Sequence, residues 1–364
     1  MALAFVFTSG LTVADDTQHR SQLRQLRFSW DGKYVLAQDD FEITVLTADP
    51  FAVLFRVPAG SAALAQFTPD SKEFTFISSI TRADSAVINV ARDAPNLQRW
   101  SVGGRRLVAS MSLPRLVCRT MAVVSDARTL ACVDFEGTLR VLDLASGQAG
   151  LEIRRFSGPI FFWIGLQRHD FDGGAGAAKM AASPDGRFVV AVGLGGPGRG
   201  RVVVWDTTEG REVKLAGRLG ALRNAAVWNM QFAFVGRQRL VMSCGTWQKQ
   251  YVVAARIVSF PDGATSSTAK IPWGPELLAA ADPQFLIVVH PYYSEFAASY
   301  YGSYRFPYPS EGAAAVDLAT GEMIITNTPV IDVFGSRYVT EVRPGVVGLH
   351  ERGRGLQASV VLRQ

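Results

Sequence analysis

Few residues in this chain stand at spacings that do chemistry. His169-Asp170-Phe171-Asp172-Gly173-Gly174 sets two carboxylates beside a glycine turn, as a calcium loop begins. Ca²⁺ takes about six to eight oxygen ligands, and no closing carboxylate follows, so a polar turn is the plainer reading. Gly193-Leu194-Gly195-Gly196-Pro197-Gly198-Arg199-Gly200 has the glycines of a phosphate-cradling loop. Such a loop opens a helix, whereas this one joins two apolar runs of strand character, so a flexible hairpin is expected. Asp40-Phe41-Glu42 and Asp134-Phe135-Glu136 offer paired carboxylates, but their recurrence points to a repeated turn rather than to acid–base work. The three cysteines (Cys118, Cys132, Cys244) and four histidines have no zinc spacing. No serine elbow and no Cys/His nucleophile set is present. The residues therefore predict no metal, no cofactor and no catalytic group. The most unusual segment is 290–311, which carries six of the nine tyrosines: Tyr292, Tyr293, Tyr300, Tyr301, Tyr304 and Tyr308, with Arg305 among them. Tyrosine combines a large apolar face with a polar tip, which suits recognition of a protein, peptide or glycan. The same residues also suit an aromatic plug that only stabilises the fold.

The elements that must position these residues are legible as a repeat. Phe28-Ser29-Trp30-Asp31-Gly32-Lys33-Tyr34-Val35, Phe67-Thr68-Pro69-Asp70-Ser71-Lys72 and Ala182-Ser183-Pro184-Asp185-Gly186-Arg187-Phe188-Val189 are copies of one phrase: an apolar residue, a tight turn, then an alternating strand. Turn anchors at Asp31, Asp70, Asp126, Asp185, Arg237, Asp282 and Pro344 recur roughly every 40–60 residues, the length of a four-stranded propeller blade with loop insertions. A second phrase, a β-branched strand ending in a polar turn, follows each anchor, as in Val202-Val203-Val204-Trp205-Asp206-Thr207-Thr208-Glu209-Gly210 and Ala315-Val316-Asp317-Leu318-Ala319-Thr320-Gly321. Period-two patterning between Asp, Gly and Pro turns reads as β throughout.

The Ser-Pro-Asp-Gly turn and the Trp205-Asp206 ending resemble the WD-repeat and WD-repeat-like β-propeller families, the bacterial branch above all, over nearly the whole chain. Leu142-Asp143 and Val316-Asp317 stand in for Trp-Asp elsewhere, and the Gly-His pair typical of eukaryotic repeats is missing. The resemblance implies an all-β fold: a seven-bladed β-propeller of four-stranded antiparallel blades forming a single domain over residues 1–364. It leaves function open, because this superfamily shares a fold and not an activity.

Following the repeat to its end predicts a last blade that is one strand short, with its first turn at Arg343-Pro344-Gly345. Residues 1–15, with Ala4-Phe5-Val6-Phe7-Thr8 and Leu11-Thr12-Val13, are then the strand that closes the ring. The same apolar start also reads as a leader segment, although no Lys or Arg precedes it. Cys118 and Cys132 fall on adjacent strands of one hairpin. In direct opposition they would form a cross-strand disulfide and place the chain in a periplasmic or secreted setting; two buried thiols in a cytoplasmic protein are the alternative.

Composition narrows the partners. The formal net charge of +5 comes from arginines scattered along the chain, without the basic run that nucleic acid requires. No apolar stretch is long enough to span a membrane. In an up-and-down blade, successive turns alternate between the two ends of the sheet. Residues 81–97, 157–178, 193–200 and 290–311 therefore project from one face. The combined expectation is a monomeric, non-enzymatic scaffold that binds a protein or glycan through that face, with Trp163, Arg168 and His169 beside the tyrosines. A propeller hydrolase or lactonase with a site at the central channel, and a structural part of a cell-envelope assembly, are the alternatives.

Overall fold

The structure is a computed structural model. It describes residues 23, 25–39, 41–59, 63–78, 80–83, 87–90, 96–112, 118–123, 129–134, 138–143, 146, 148–153, 161–164, 167–170, 179–194, 199–215, 222–223, 230–244, 252–272, 276–289, 313–324 and 330–362. Every element among them is a strand, and every pairing is antiparallel. Seven sheets of four or more strands follow one another along the chain, spanning 25–58, 63–112, 118–153, 179–223, 230–272, 276–324 and 330–361. In each, the four main strands pair in chain order, as a meander. The first sheet shows the plan, with Gln25–Phe28, Tyr34–Gln38, Glu42–Ala48 and Phe51–Pro58 side by side.

These strands form because their apolar residues have nowhere else to go. A central strand here is buried on both faces, so Tyr34–Gln38 and Glu73–Ser78 are each buried at every position after the first, the polar Thr75 and Ser78 included. Each face then packs on the next sheet. Leu36, Ile43 and Val45 meet Phe67, Phe74 and Phe76 of the second sheet. Phe188, Val190 and Val204 of the fourth meet Phe234, Leu240 and Phe260 of the fifth, with the Phe188 and Phe260 rings stacked 4.9 Å apart. Ala233, Val235 and Val241 of the fifth meet Leu286 and Val288 of the sixth, and Phe285 and Ile287 of the sixth meet Val330, Val333 and Tyr338 of the seventh. Four-stranded meanders stacked face to face in chain order are the arrangement of a β-propeller.

The last sheet also packs on the first. Val339, Val347, Leu349 and Leu362 share a core with Leu26, Phe28, Val35 and Leu46. The Phe334 ring lies against Gly32, where a β-carbon would come within 2.2 Å of it, and Gly32 has φ +68°, so the turn tolerates only glycine on both counts. Arg337 donates to the Gly32 carbonyl at 3.0 Å, and Arg56 to the Leu362 carbonyl at 2.8 Å. At the centre of this seam is the fully buried Asp332. It accepts from the Phe28 N–H at 2.7 Å, the Ala281 N–H at 2.9 Å and its neighbour Val333 N–H at 2.8 Å, which ties the first, sixth and seventh sheets together.

Two sequence expectations are corrected here. The last sheet is not short of a strand: Val330–Phe334, Arg337–Arg343, Val346–Glu351 and Gly355–Val361 complete it. Arg343-Pro344-Gly345 lies between its second and third strands, and Gly335-Ser336 makes the first turn. That turn has no carboxylate of its own because Asp282 of the sixth sheet caps the Gly335 N–H at 2.9 Å. Residues 1–15, expected to close the ring, lie outside the described residues. The second correction is to the register. Cys118 stands opposite Asp134, and Cys132 opposite Met121, with a bulge between Cys118 and Thr120. The offset separates the two cysteines by on the order of 8–10 Å along the strands, beyond disulfide reach. The register therefore gives no ground for the bridge, nor for an oxidising compartment.

Burial pushes the Asp332 carboxyl up to about 6, against the charge of Arg27 and the three N–H donors. An unfolded aspartate titrates near 3.9, so between roughly pH 4 and 6 the folded state holds the extra proton. This residue's contribution to stability therefore falls as pH rises through that window and is level above it. His350, held below its usual value by burial, acts with the opposite sign below about pH 6.5. Asp332→Asn should remove the Asp332 slope and leave the His350 slope. It should also cost about 1–3 kcal/mol at neutral pH, because its NH₂ cannot accept as the second oxygen does. Urea unfolding of both proteins at a series of pH values tests this; an unchanged difference between them from pH 4 to 6 rejects it.

Candidate functional site

The two ends of the sheets differ in kind. One end carries the turns between first and second strands and between third and fourth strands, and these turns consume their own polar groups. Ser29 Oγ donates to Asp31 Oδ1 at 2.7 Å and accepts from the Tyr34 N–H at 3.0 Å, while Asp31 also accepts from the Lys33 N–H. Thr68, Asp70 and Glu73 repeat the circuit, as do Ser183, Asp185 and Phe188. This is why the repeat needs a hydroxyl two residues before an aspartate. Neighbouring turns are also linked: the Asp31 N–H donates to Ser71 Oγ, and Arg239 to the Pro283 carbonyl.

The aspartates that close the second phrase do the same at the other turns of this end. Asp206, with its side chain 1% exposed, takes the Thr208 and Glu209 N–H groups on Oδ1 and the Arg187 guanidinium on Oδ2 at 2.9 and 3.0 Å. Burial raises its carboxyl, and the Arg187 contacts and the two N–H donors outweigh that and leave it below the usual value. Asp317 is built alike, with Gln284 in place of the arginine. Asp31, Asp70, Asp185, Asp206 and Asp317 thus each hold a turn of their own sheet. Glu42 is also accounted for, by an ion pair with Arg56 at 3.4 Å, and Asp39 caps its turn, while Asp40 lies outside the described residues.

The opposite end carries the insertions. Between Glu73–Ser78 and Asn96–Ser101 of the second sheet, Ile80–Ala83 and Val87–Val90 form a hairpin whose Ile88 pairs with Cys118 on the first strand of the third sheet. Between the third and fourth sheets, Phe161–Ile164 and Gln167–Asp170 form a second hairpin, in which Trp163 faces Arg168 and Phe162 faces His169 across the ladder. The glycine-rich segment continues Phe188–Leu194 and Arg199–Asp206 into one long hairpin, and Leu222–Arg223 pairs beside its tip at Gly200 and Arg199. Val289 pairs with Ala313, so the tyrosine-rich segment leaves and re-enters at this same end.

Of the residues singled out in the sequence, Trp163 and Arg168 are paired positions on the second hairpin, and His169 is paired with Phe162 at the adjacent position. Tyr292, Tyr293, Tyr300, Tyr301, Tyr304, Arg305 and Tyr308 lie outside the described residues, as do Asp172 and the glycines after it. Among the described residues no group of three or more His, Cys, Asp or Glu is placed to hold a metal ion, and no helix is long and apolar enough to cross a membrane. Asp332 was missed by sequence reasoning; its one signal is a lone carboxylate inside the apolar run Val330-Ile331-Asp332-Val333-Phe334.

Asp206→Ala should destabilise the protein by about 3 kcal/mol, since it removes the buried acceptor of Arg187, which keeps only Glu209 at 3.2 Å, and leaves two turn N–H groups without their acceptor. Asp206→Asn, which keeps a turn acceptor, should cost less. Equal losses for the two in thermal unfolding would show that the arginine contact carries the whole effect.

No protein-family model and no curated protein matches the chain. Among solved structures, it is similar to the computationally designed Ika8 protein, with 15% identity, 95% of this chain and 89% of that one covered, and a TM-score of 0.47. It is also similar to the β-propeller domain of Myceliophteria thermophila Cps50 (Swd1), with 9% identity, coverage of 92% and 95%, and a TM-score of 0.48. The assignment of the fold rests on the order and packing of the sheets.

Proposed function

We propose that the chain is a seven-bladed, WD-repeat-like propeller closed by contact between its first and last blades, and that it works as a non-enzymatic scaffold. Its binding face is the one that carries the insertions, and its partner is a protein, peptide or glycan. The observation that carries this reading is the asymmetry of the two ends. One end spends its hydroxyls and carboxylates on its own turns, whereas the other gathers hairpins from at least three successive sheets and the exit points of the tyrosine-rich segment. Extended loops on one side of a rigid scaffold are where recognition concentrates. Trp163, Arg168 and His169 supply an aromatic, a cationic and a hydrogen-bonding group within one hairpin, and the tyrosines of 290–311 are of a type able to add broad, low-entropy contact area.

Phage-displayed peptides and a glycan array screened with the purified chain supply ligands for the test. Paired substitutions Tyr292→Ala with Tyr293→Ala, or Tyr300→Ala with Tyr301→Ala, should weaken selected ligands by about 2 kcal/mol, roughly thirtyfold in Kd, with the melting temperature unchanged. Trp163→Ala should act in the same direction. Ligands that bind all of these variants as tightly as the parent would reject this face.

A further inference from the structure

The outermost strand of the second sheet, Arg106–Ser112, is exposed over its whole length, more fully than Gly355–Val361 of the last sheet, which is exposed at five of seven positions and touches the outer strand of the first sheet. All seven of its residues are exposed, including Leu107 at 45%, Val108 at 42% and Met111 at 37%. The outer strand of the first sheet, by contrast, is mostly half-buried and touches the outer strand of the seventh. Among the described residues Arg106–Ser112 pairs on one side only, with Asn96–Ser101, which leaves its other row of N–H and C=O groups without a described strand partner. Natural sheet edges are normally protected by charge, proline or burial. Residues 107–112 have no charge and no proline. A bulge between Leu107 and Ala109 is the one irregularity.

The register sorts the side chains. Leu107, Ser110 and Ser112 share a face with Trp100, Gln98 and Asn96, while Arg106, Ala109 and Met111 share the other with Ser101, Arg99 and Leu97. Arg105, at φ +52°, and Arg106 stand exposed at one end of the strand, and neither has an acidic partner among the described residues. The strand is thus uncharged from Leu107 to Ser112, with Leu107, Val108 and Met111 as its exposed apolar groups, and doubly cationic at one end.

We propose that Arg106–Ser112 is a strand-addition site for an extended peptide segment, apolar in alternation, with carboxylates at the end that reaches Arg105 and Arg106. Backbone pairing supplies affinity in such a mode, and the flanking side chains supply selection. Charge complementarity favours this occupant over a second copy of the chain. Pairing two copies antiparallel brings Arg105 and Arg106 opposite Ser112 and Leu113, and pairing them parallel brings arginine onto arginine. Neither arrangement provides a carboxylate, and the chain carries a net charge of +5.

The test uses the full chain and two fluorescent peptides, Asp-Glu-Val-Thr-Val-Thr-Val-Ser and its counterpart beginning Lys-Arg, titrated by anisotropy. The acidic peptide should bind at least about tenfold more tightly than the basic one, since like charges placed side by side are rejected. The double variant Arg105→Glu, Arg106→Glu should reverse the preference. Met111→Asp should weaken both peptides while leaving the fold intact by circular dichroism. Equal affinity for the two peptides, or a preference that survives the double variant, overturns the proposal. So does a dimer in sedimentation that Met111→Asp dissolves, which would assign the edge to a second copy.

Discussion

A row of stacked sheets leaves two apolar faces without a neighbour, one on the first sheet and one on the last. The hydrogen bonds that converge on Asp332 fasten those faces to each other. Among the described residues no strand is lent across the seam. The chain uses instead a carboxylate in an apolar strand, reached by N–H groups of Phe28 and Ala281 from two other sheets. The position is costly for a charge, and the cost is offset by donors that the backbone must satisfy somewhere in any case. Gly32 and Phe334 then complete the fit by shape.

The repeated turn phrase takes on a second meaning in this setting. Read locally, it is a hydroxyl and a carboxylate closing a tight turn. In the assembled molecule, the same turns touch from sheet to sheet, through Asp31 and Ser71, Arg239 and Pro283, Asp282 and Gly335, and Arg337 and Gly32. They make a polar collar on one end of the molecule. Ser71 shows how far the collar overrides local preference, since it holds φ +60° where the other copies use glycine, and its hydroxyl is the group that reaches the first sheet. An end so occupied with itself has few groups left for a ligand, and the insertions are free to vary at the other.

This division also explains what was legible in the sequence. The turns at Asp31, Asp70 and Asp185 could be located because the hydroxyl–carboxylate circuit that closes each of them lies within five residues. The places where the insertions leave the repeat could be located for the same reason, as interruptions in a local pattern. The last sheet was misread because the cap of its first turn, Asp282, belongs to another sheet and Gly335-Ser336 bears no mark of its own. The pairing of Cys118 and Cys132 was misread because a bulge changes register without changing composition. Asp332 was invisible because its three donors are backbone groups, two of them far away in sequence. Of the binding residues, the sequence identified a segment by its tyrosines but carried no information on what that segment faces.

The hairpin Ile80–Ala83 and Val87–Val90 has a consequence for how the molecule comes apart. It grows out of the second sheet but hydrogen-bonds to the third, through Ile88 and Cys118. In a simple repeat array, each unit opens on its own, coupled to its neighbours only by packing. Here the backbone ladder crosses the boundary, so the second and third sheets form one cooperative unit of opening, larger than a single repeat. A disturbance at the insertion-bearing end of either sheet is then felt in the core of the other, along covalent chain and hydrogen bonds rather than through loose side-chain contact.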